Sequence, residues 1–463
     1  MARLEATAPV GRRPSVWAPE WRALTVGLIV TVTLVASEAL AVATVLPLVA
    51  HDLHGLALYG WVMSAFFLGT LVGLVVGAEE IDRRGPAMPF AAALAIFAAG
   101  LLVAGLAPAM WVVVVGRALQ GLGAGAIPAV AYASIGRAIP DALRPRVFAL
   151  LSTAWVLPGL AGPAVAAAVA AAAGWRVVFV GLVPLVAVAA VPPYRALRRL
   201  GPPAEPPLAE ARLVPALRVA AGAGLVLAAL AERSLLALPM IVAAAALGAR
   251  PLRALLPSGT LTARAGLPAT ILTRGLLTFG FFGADTFVPL AIVSVRHQPT
   301  AVGGIALTAA TLSWTAASWV QERLVLRWSP RRLVGVGLAI VAAGTAGVAT
   351  ALLSSVPIAV APVAWGIAGF GIGLAYSTLS LSVLAEAPPG QEGRVSAALQ
   401  LCDNLGIAFG AGLGGAAVAV AAAHGREAIG VGAAYALAAA VALLGVAVTR
   451  RLPAHVLHPR TPM

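Results

Sequence analysis

A handful of charged side chains in this sequence stand in almost wholly apolar surroundings, and they are its first candidates for chemistry. Glu38 lies about 16 residues into one apolar run and Asp285 about 17 residues into another. A carboxylate taken out of water holds its proton more readily, so an acid at such depth can load and release protons near neutral pH. Both are therefore candidate proton or cation-substrate sites; the alternative is a structural carboxylate bonded to a neighbouring helix. Asp403, about ten residues into a later run, is a third candidate. Its alternative is an interhelical bond with Asn404 or a place in a water-filled vestibule. Arg117 heads the segment Arg117-Ala-Leu-Gln120-Gly121-Leu-Gly123-Ala-Gly125. Arg117, Gln120 and Gly121 fall close to one helical face, and the glycines let another helix pack tightly. An arginine beside a carboxylate favours its charged form, so their separation could gate proton release. The alternative is a purely structural ion pair.

Other segments suggest movement rather than chemistry. Asp82, Arg83 and Gly85 lie in Glu79-Glu80-Ile81-Asp82-Arg83-Arg84-Gly85, an acid beside arginines and a turn glycine. Such a loop can dock on a neighbouring helix end as a latch, or it is simply a solvated charged loop. Pro158, Gly162 and Pro163 bend a helix and permit close approach of another backbone, as a hinge or a leak barrier, or as plain close packing. Trp155, Tyr132, Trp314 and Tyr376 could line an apolar substrate cavity. Trp319 is a candidate of the same kind, and lipid-facing or core placement is the alternative for all of them. Tyr59, Trp61 and Trp111 are expected to anchor helix ends at the membrane interface.

The elements that must position these residues follow from composition. The chain has 463 residues, 61% apolar and only 10% charged, with a mean hydropathy of +0.97. Soluble proteins carry about 25% charged residues, so an ordinary soluble enzyme is excluded. A bilayer span needs about 20 apolar residues. Apolar runs give fourteen spans: 22–48, 57–78, 87–107, 109–138, 145–172, 175–196, 213–231, 234–249, 268–294, 301–323, 332–353, 357–387, 393–421 and 427–449. Backbone in lipid must satisfy its own hydrogen bonds, so these runs are helices. The seventh and eighth are the shortest, with only Glu232-Arg233 between them; were both buried or re-entrant, the count would be twelve. The expected organisation is a cytoplasmic N-terminus over 1–21, a six-helix bundle over 22–197 and a linker with two extra helices over 198–267. A second six-helix bundle over 268–449 and a cytoplasmic tail over 450–463 complete it. The fold class is all-α, polytopic and membrane-embedded.

All 31 basic residues are arginine. Arg176, Arg233, Arg296 and Arg426 fall in loops on one side, Arg117, Arg218 and Arg274 fall within spans, and the rest gather on the other side. By the positive-inside rule that richer side is cytoplasmic and holds both termini, here in a bacterial inner membrane. The pI near 11.5 reflects this topology rather than nucleic-acid binding. Cys402 is the single cysteine, so neither a disulfide nor a cysteine metal site is expected. The histidines fall in loops or the tail, and no phosphate-binding Gly-x4-Gly-Lys-Ser/Thr pattern occurs. No cofactor, no metal and no enzyme chemistry is expected.

An internal repeat fixes the architecture further. Gly121, Gly123 and Gly125 match Gly369, Gly371 and Gly373 at an offset of 248, which also relates Arg83-Arg84 to Arg331-Arg332, Arg146-Val147 to Arg394-Val395, and Gly162 to Gly410. Glu38 and Asp285 are 247 apart, at matching depth in matching helices. Trp365 stands where Arg117 would repeat, so the cation belongs to the first half alone. Two related six-helix halves imply a substrate site between them near the midplane, exposed alternately to each side.

These residues together resemble the major facilitator superfamily, and within it the fourteen-span drug:proton antiporters, over nearly the whole chain. Asp82-Arg83-Arg84-Gly85 is similar to the family's loop between spans two and three, although Pro86 and Ala87 replace its trailing basic residues. Arg117-x-x-Gln120-Gly121 is similar to the span-four motif implicated in proton coupling. Pro158-x-x-x-Gly162-Pro163 resembles the span-five antiporter motif of exporters, with Ala164-Val165 in place of its glycine pair. Glu38, nine residues before Pro47, occupies the place of the span-one acid. The resemblance implies a proton-coupled exporter of amphipathic or hydrophobic small molecules, whose partners are its substrate, protons and the lipid bilayer, and which works as a monomer. A lipid or glycolipid exporter of the cell envelope is the alternative, and a non-transporting membrane sensor a more distant one.

Overall fold

The computed structural model describes residues 15–140, 143–154, 156–201, 213–231, 236–325, 327–388 and 391–454. Fourteen helical segments among them are long and apolar enough to cross a membrane. The 202–212 linker, Glu232-Arg233 and Trp155 lie outside the described residues. An even number of crossings returns the chain to the side on which it began, so one face of the bundle carries both ends.

The first half contains α1 (Pro19–Asp52), α2 (Tyr59–Arg84), α3 (Ala87–Gly105) and α4 (Met110–Ala138), then α5 (Arg144–Thr153), α6 (Val156–Ala173), α7 (Trp175–Val180) and α8 (Leu182–Arg198). α7 and α8 form one span, jointed at Gly181. The second half contains α11 (Leu267–Asp285), α12 (Val288–Leu290), α13 (Thr300–Leu324), α14 (Pro330–Thr350), α15 (Val360–Glu386), α16 (Glu392–Ala422) and α17 (Glu427–Val448). Its opening span is broken. α11 stops at Asp285, the chain turns at Thr286-Phe287, and α12 runs into a wide π-turn over Ala291–Val295. Pro289 lies four residues after Asp285 and has no N–H to give that residue's carbonyl, which accounts for an interruption at this point.

The repeat is visible in the packing. α4 lies against α2 and α3 in the first half, and α15 against α13 and α14 in the second. Gly121 and its counterpart Gly369 occupy equivalent contacts: a Cβ on the first would strike the Phe66 carbonyl, and one on the second the Ala310 carbonyl. Small residues at such crossings are how membrane helices gain van der Waals contact, since lipid offers no hydrophobic drive to bring them together.

The halves meet along two seams, α2 with α16 and α6 with α13. On the first, Ser64 Oγ donates to the Ala408 carbonyl at 2.8 Å, a Cβ on Gly60 would come within 2.7 Å of Gly415 Cα, and the Tyr59 and Phe287 rings stand 5.8 Å apart. On the second, Gly159 lies against Thr311 and Gly304 against Pro163. Chain direction places these contacts in the part of the bundle away from the face carrying the termini. The seams are thus held shut toward that far side.

The inserted helices α9 (Leu213–Ala231) and α10 (Ala237–Leu255) pack on each other, Gly222 against Gly248. α9 also touches both α2 and α16. Leu68 lies against Gly224, and Leu227 against Gly412. The Glu79 carboxylate of α2 accepts from the Leu213 N–H at 3.1 Å. α10 is mostly exposed, as a lipid-facing helix must be. Each runs 19 residues, and both are long and apolar enough to cross a membrane, which brings the candidate spans to fourteen.

Candidate functional site

In the first half the site grows from the crossing of α1 and α4. Glu38 is fully buried, and so are Arg117 and Gln120. Arg117 Nη1 donates to Glu38 Oε1 and to Gln120 Oε1, one turn further along α4. The guanidinium carbon stands 4.2 Å over the Phe66 ring centroid, a cation–π contact from α2. Glu38 Oε2, Arg117 Nε and Gln120 Nε2 find no protein partner. The pair therefore cancels charge without satisfying every polar atom. A buried ion pair is held by its geometry, and stranding one member is expensive. The sequence candidates Glu38, Arg117, Gln120 and Gly121 come together here.

The second half repeats this geometry with one change. Trp365, 248 residues after Arg117, donates its indole N–H to Asp285 Oδ1 at 2.7 Å. Trp365 is fully buried and stacks on Phe281 with centroids 4.9 Å apart, whereas Asp285 is partly exposed. A neutral donor holds the acid in place without cancelling its charge. Among the described residues, Asp285 has no cationic partner.

Asp403 is also paired, with Arg274, the cation within the opening span of the second half. Arg274 of α11 donates from Nε to Asp403 Oδ1 at 2.9 Å and from Nη2 to Oδ2 at 3.3 Å. Its Nη1 donates to the Tyr376 carbonyl at 2.8 Å and to Ser380 Oγ at 3.1 Å. The Tyr376 hydroxyl donates to Asp403 Oδ2 at 3.0 Å. The signal for Arg274 was the one used for Arg117: an intramembrane cation needs a partner.

Aromatic rings join the two acids of this half. Trp365 stacks on Phe281, Phe281 meets Trp314 edge-on at 5.8 Å, and Trp314 lies 5.2 Å from Tyr376. Trp314 and Tyr376, both partly exposed, form one wall. Tyr132 lies on α4, but its side chain is outside the described residues, as is Trp155. Trp319 is 66% exposed and takes no part in the ring contacts of this wall. Trp111 is exposed near its helix end, in keeping with an anchor. Tyr59 is not an anchor: it is fully buried, because the α2 terminus it begins lies inside a seam.

Pro158, Gly162 and Pro163 sit on α6. Gly162 turns toward Leu40 of α1, while Pro163 meets Gly304 across the halves. Asp82 and Arg83 end α2, and Gly85 caps it with φ 75° and ψ 175°, a conformation that essentially only glycine adopts. In this state Asp82 and Arg83 make no hydrogen bond or ion pair among the described residues, and the neighbouring Arg84 pairs only locally, with Glu80 at 3.1 Å. Two surface grooves of about 290 and 620 Å³ lie on the outer wall, away from these groups. No group of three metal-ligating side chains occurs among the described residues.

Fourteen candidate spans, two related six-helix halves and a buried ion pair within each half fit a membrane transporter. The sequence profile of the Major Facilitator Superfamily matches residues 27–411, and the chain belongs to that family. A Mycobacterium tuberculosis protein named "Probable multidrug-efflux transporter" is 28% identical over 405 residues, covering 84% of this chain and 85% of its own length. The multidrug transporter protein MdtP of Bacillus subtilis is 23% identical, covering 85% of this chain and 75% of its own. Among solved structures, an inward-facing bacterial homologue of the human lysosomal transporter Spinster matches with a TM-score of 0.69 at 13% identity, over 94% of this chain and 98% of that one. The peptide transporter PepTSo matches with a TM-score of 0.68 at 16% identity, over 93% and 98%. These likenesses carry the fold.

Proposed function

We propose that this protein is a proton-coupled antiporter that exports amphipathic or hydrophobic small molecules across a bacterial cytoplasmic membrane by alternating access. The observation that carries the reading is the unequal treatment of two repeat-related acids. Glu38 is neutralised by Arg117, and Asp285 is held by a neutral indole. An acid without a cation gains most from a proton or a cationic substrate, so Asp285 is the exchangeable group and the Glu38–Arg117 pair its responsive counterpart. Both termini face the cytoplasm in this reading, which makes the present state open inward and closed outward. The disengaged Asp82 and Arg83 fit that state, since a cytoplasmic latch closes only when the halves tilt the other way. The partly exposed Trp314 and Tyr376 rings offer flat apolar area to a substrate passing between Asp285 and Asp403. The names of the efflux relatives support the direction of transport.

Each proton entering down 100 mV supplies about 2.3 kcal/mol, enough to drive modest accumulation of cargo. The test is ethidium transport in inverted vesicles with an imposed pH gradient, comparing wild type with Asp285→Asn and Glu38→Gln. Loss of gradient-driven transport in Asp285→Asn with retained folding is expected; undiminished transport in both variants would sink the reading. Transport of a fluorescent lipid but not of ethidium would favour an envelope-lipid exporter.

A further inference from the structure

Two tyrosines occupy positions where phenylalanine would fill the same space without a hydroxyl to satisfy. Tyr59 begins α2 and Tyr435 lies within α17; each has 0% exposure. Neither hydroxyl finds a protein partner. A buried polar group left unpaired is costly, so such groups are met by protein or by ordered water.

The two converge on the break in the opening span of the second half. The Tyr59 ring faces Phe287, two residues after Asp285. On the other side, a Cβ on Gly414 would meet both the Phe287 ring and Ala434, the neighbour of Tyr435. Tyr59 is within electrostatic reach of Tyr435 and Asp285, and Tyr435 within reach of Asp285. Pro289 stands four residues after Asp285, where an unbroken helix would supply an N–H to that residue's carbonyl, and has none to give. Where a membrane helix breaks, freed backbone groups are re-satisfied by neighbours or by water. An internal water needs two to four polar partners. Two phenolic hydroxyls, the Asp285 carbonyl denied an N–H by Pro289, and the second carboxylate oxygen of Asp285 supply them. No cation among the described residues shares this cluster.

We propose that Tyr59, Tyr435 and the broken backbone at Asp285 hold an internal water cluster that connects Asp285 with the far side while the seam stays shut to substrate. Protonated Asp285 gives its proton to a water. Each hydroxyl in the chain accepts a proton on its oxygen and releases its own, so both tyrosines end unchanged. The net event is one proton moving between the carboxyl group and bulk water. Run in reverse, the same path loads the acid from outside. Cargo is too large to follow it, so proton and substrate keep separate routes through the same closed gate. The proposal rests on Asp285 as the exchangeable acid.

The experiment uses the full chain in proteoliposomes, with ethidium as the cargo and a trapped pH-sensitive dye reporting protons. Tyr59→Phe and Tyr435→Phe together are close to isosteric. They are expected to leave ethidium binding within about twofold and to slow coupled proton movement roughly a hundredfold, the lower end of what a positioned proton-transfer group contributes. Wild-type proton movement in the double variant, with Asp285→Asn inactive, overturns the water route alone. Wild-type movement in Asp285→Asn as well overturns both the route and the reading beneath it. A second measurement needs no variant. Radiolytic hydroxylation of the intact protein marks buried side chains that touch bound water, so Tyr59 and Tyr435 are expected to be modified well above the equally buried Phe90. Modification no faster than that of Phe90 removes the proposal.

Discussion

Trp365 gives its indole N–H to Asp285 at the place in the second repeat where the first has Arg117 giving a guanidinium to Glu38. The second half keeps an acid, a donor and their helix crossing, with aspartate for glutamate, a neutral donor for a cationic one, and Ala368 where the first half has Gln120. At this crossing one half thereby holds a neutral ion pair, and the other an acid with a neutral donor.

The two acids should separate in experiment. Asp285→Asn removes a charge that no cation depends on, so the protein should fold with little loss while gradient-driven ethidium efflux disappears. Glu38→Gln leaves Arg117 buried without its counter-charge and should cost about 3–5 kcal/mol of stability. Thermal unfolding in detergent reads the difference; equal destabilisation by both would contradict the unequal roles.

The Arg274–Asp403 pair permits a cleaner stability test. Arg274→Ala alone should destabilise by about 3–5 kcal/mol, because Asp403 is left buried and unpaired. Replacing both partners, Arg274→Met with Asp403→Leu, should recover most of that loss, since two apolar groups of similar size carry no desolvation cost. Thermal midpoints of the singles and the double complete the cycle. An additive double variant would mean that the pair is not coupled.

At the seam, Gly60 has room for hydrogen only. A side chain there would press on the Ala411 carbonyl and Gly415 across the halves. Gly60→Val should therefore fold within each half yet fail to close the far side, lowering efflux by about tenfold or more. Size-exclusion behaviour like wild type combined with normal transport would show that this closure does not limit the cycle.

The Asp82 side chain makes no hydrogen bond or ion pair among the described residues, so Asp82→Asn should leave thermal stability within about 0.5 kcal/mol. If the loop latches when the halves tilt the other way, the same change should still slow transport. A variant with wild-type rates would reduce the segment to a solvated loop end.

Much of this was readable in the residues. Apolar runs placed the helices because lipid forces every span to be long and internally bonded. The offset of 248 located Trp365 opposite Arg117, yet it suggested only that the cation was missing. That an indole would take over its bond to Asp285 depends on a helix crossing that spacing does not encode. Arg274 carried the same signal as Arg117 but sat outside any recognised pattern. Depth was legible for Tyr59, but direction was not: a residue at a span's end faces lipid headgroups or a neighbouring bundle according to packing alone.

The inserted pair has a mechanical consequence. α9 leans on Leu68 of α2 and on Gly412 of α16, and its first residue is tied to Glu79. If the bundles tilt as the proposed alternating access requires, the gap between α2 and α16 widens and narrows, and a rod touching both cannot keep both grips. One set of contacts would then slip on every turnover, which makes α9 a governor of stroke length.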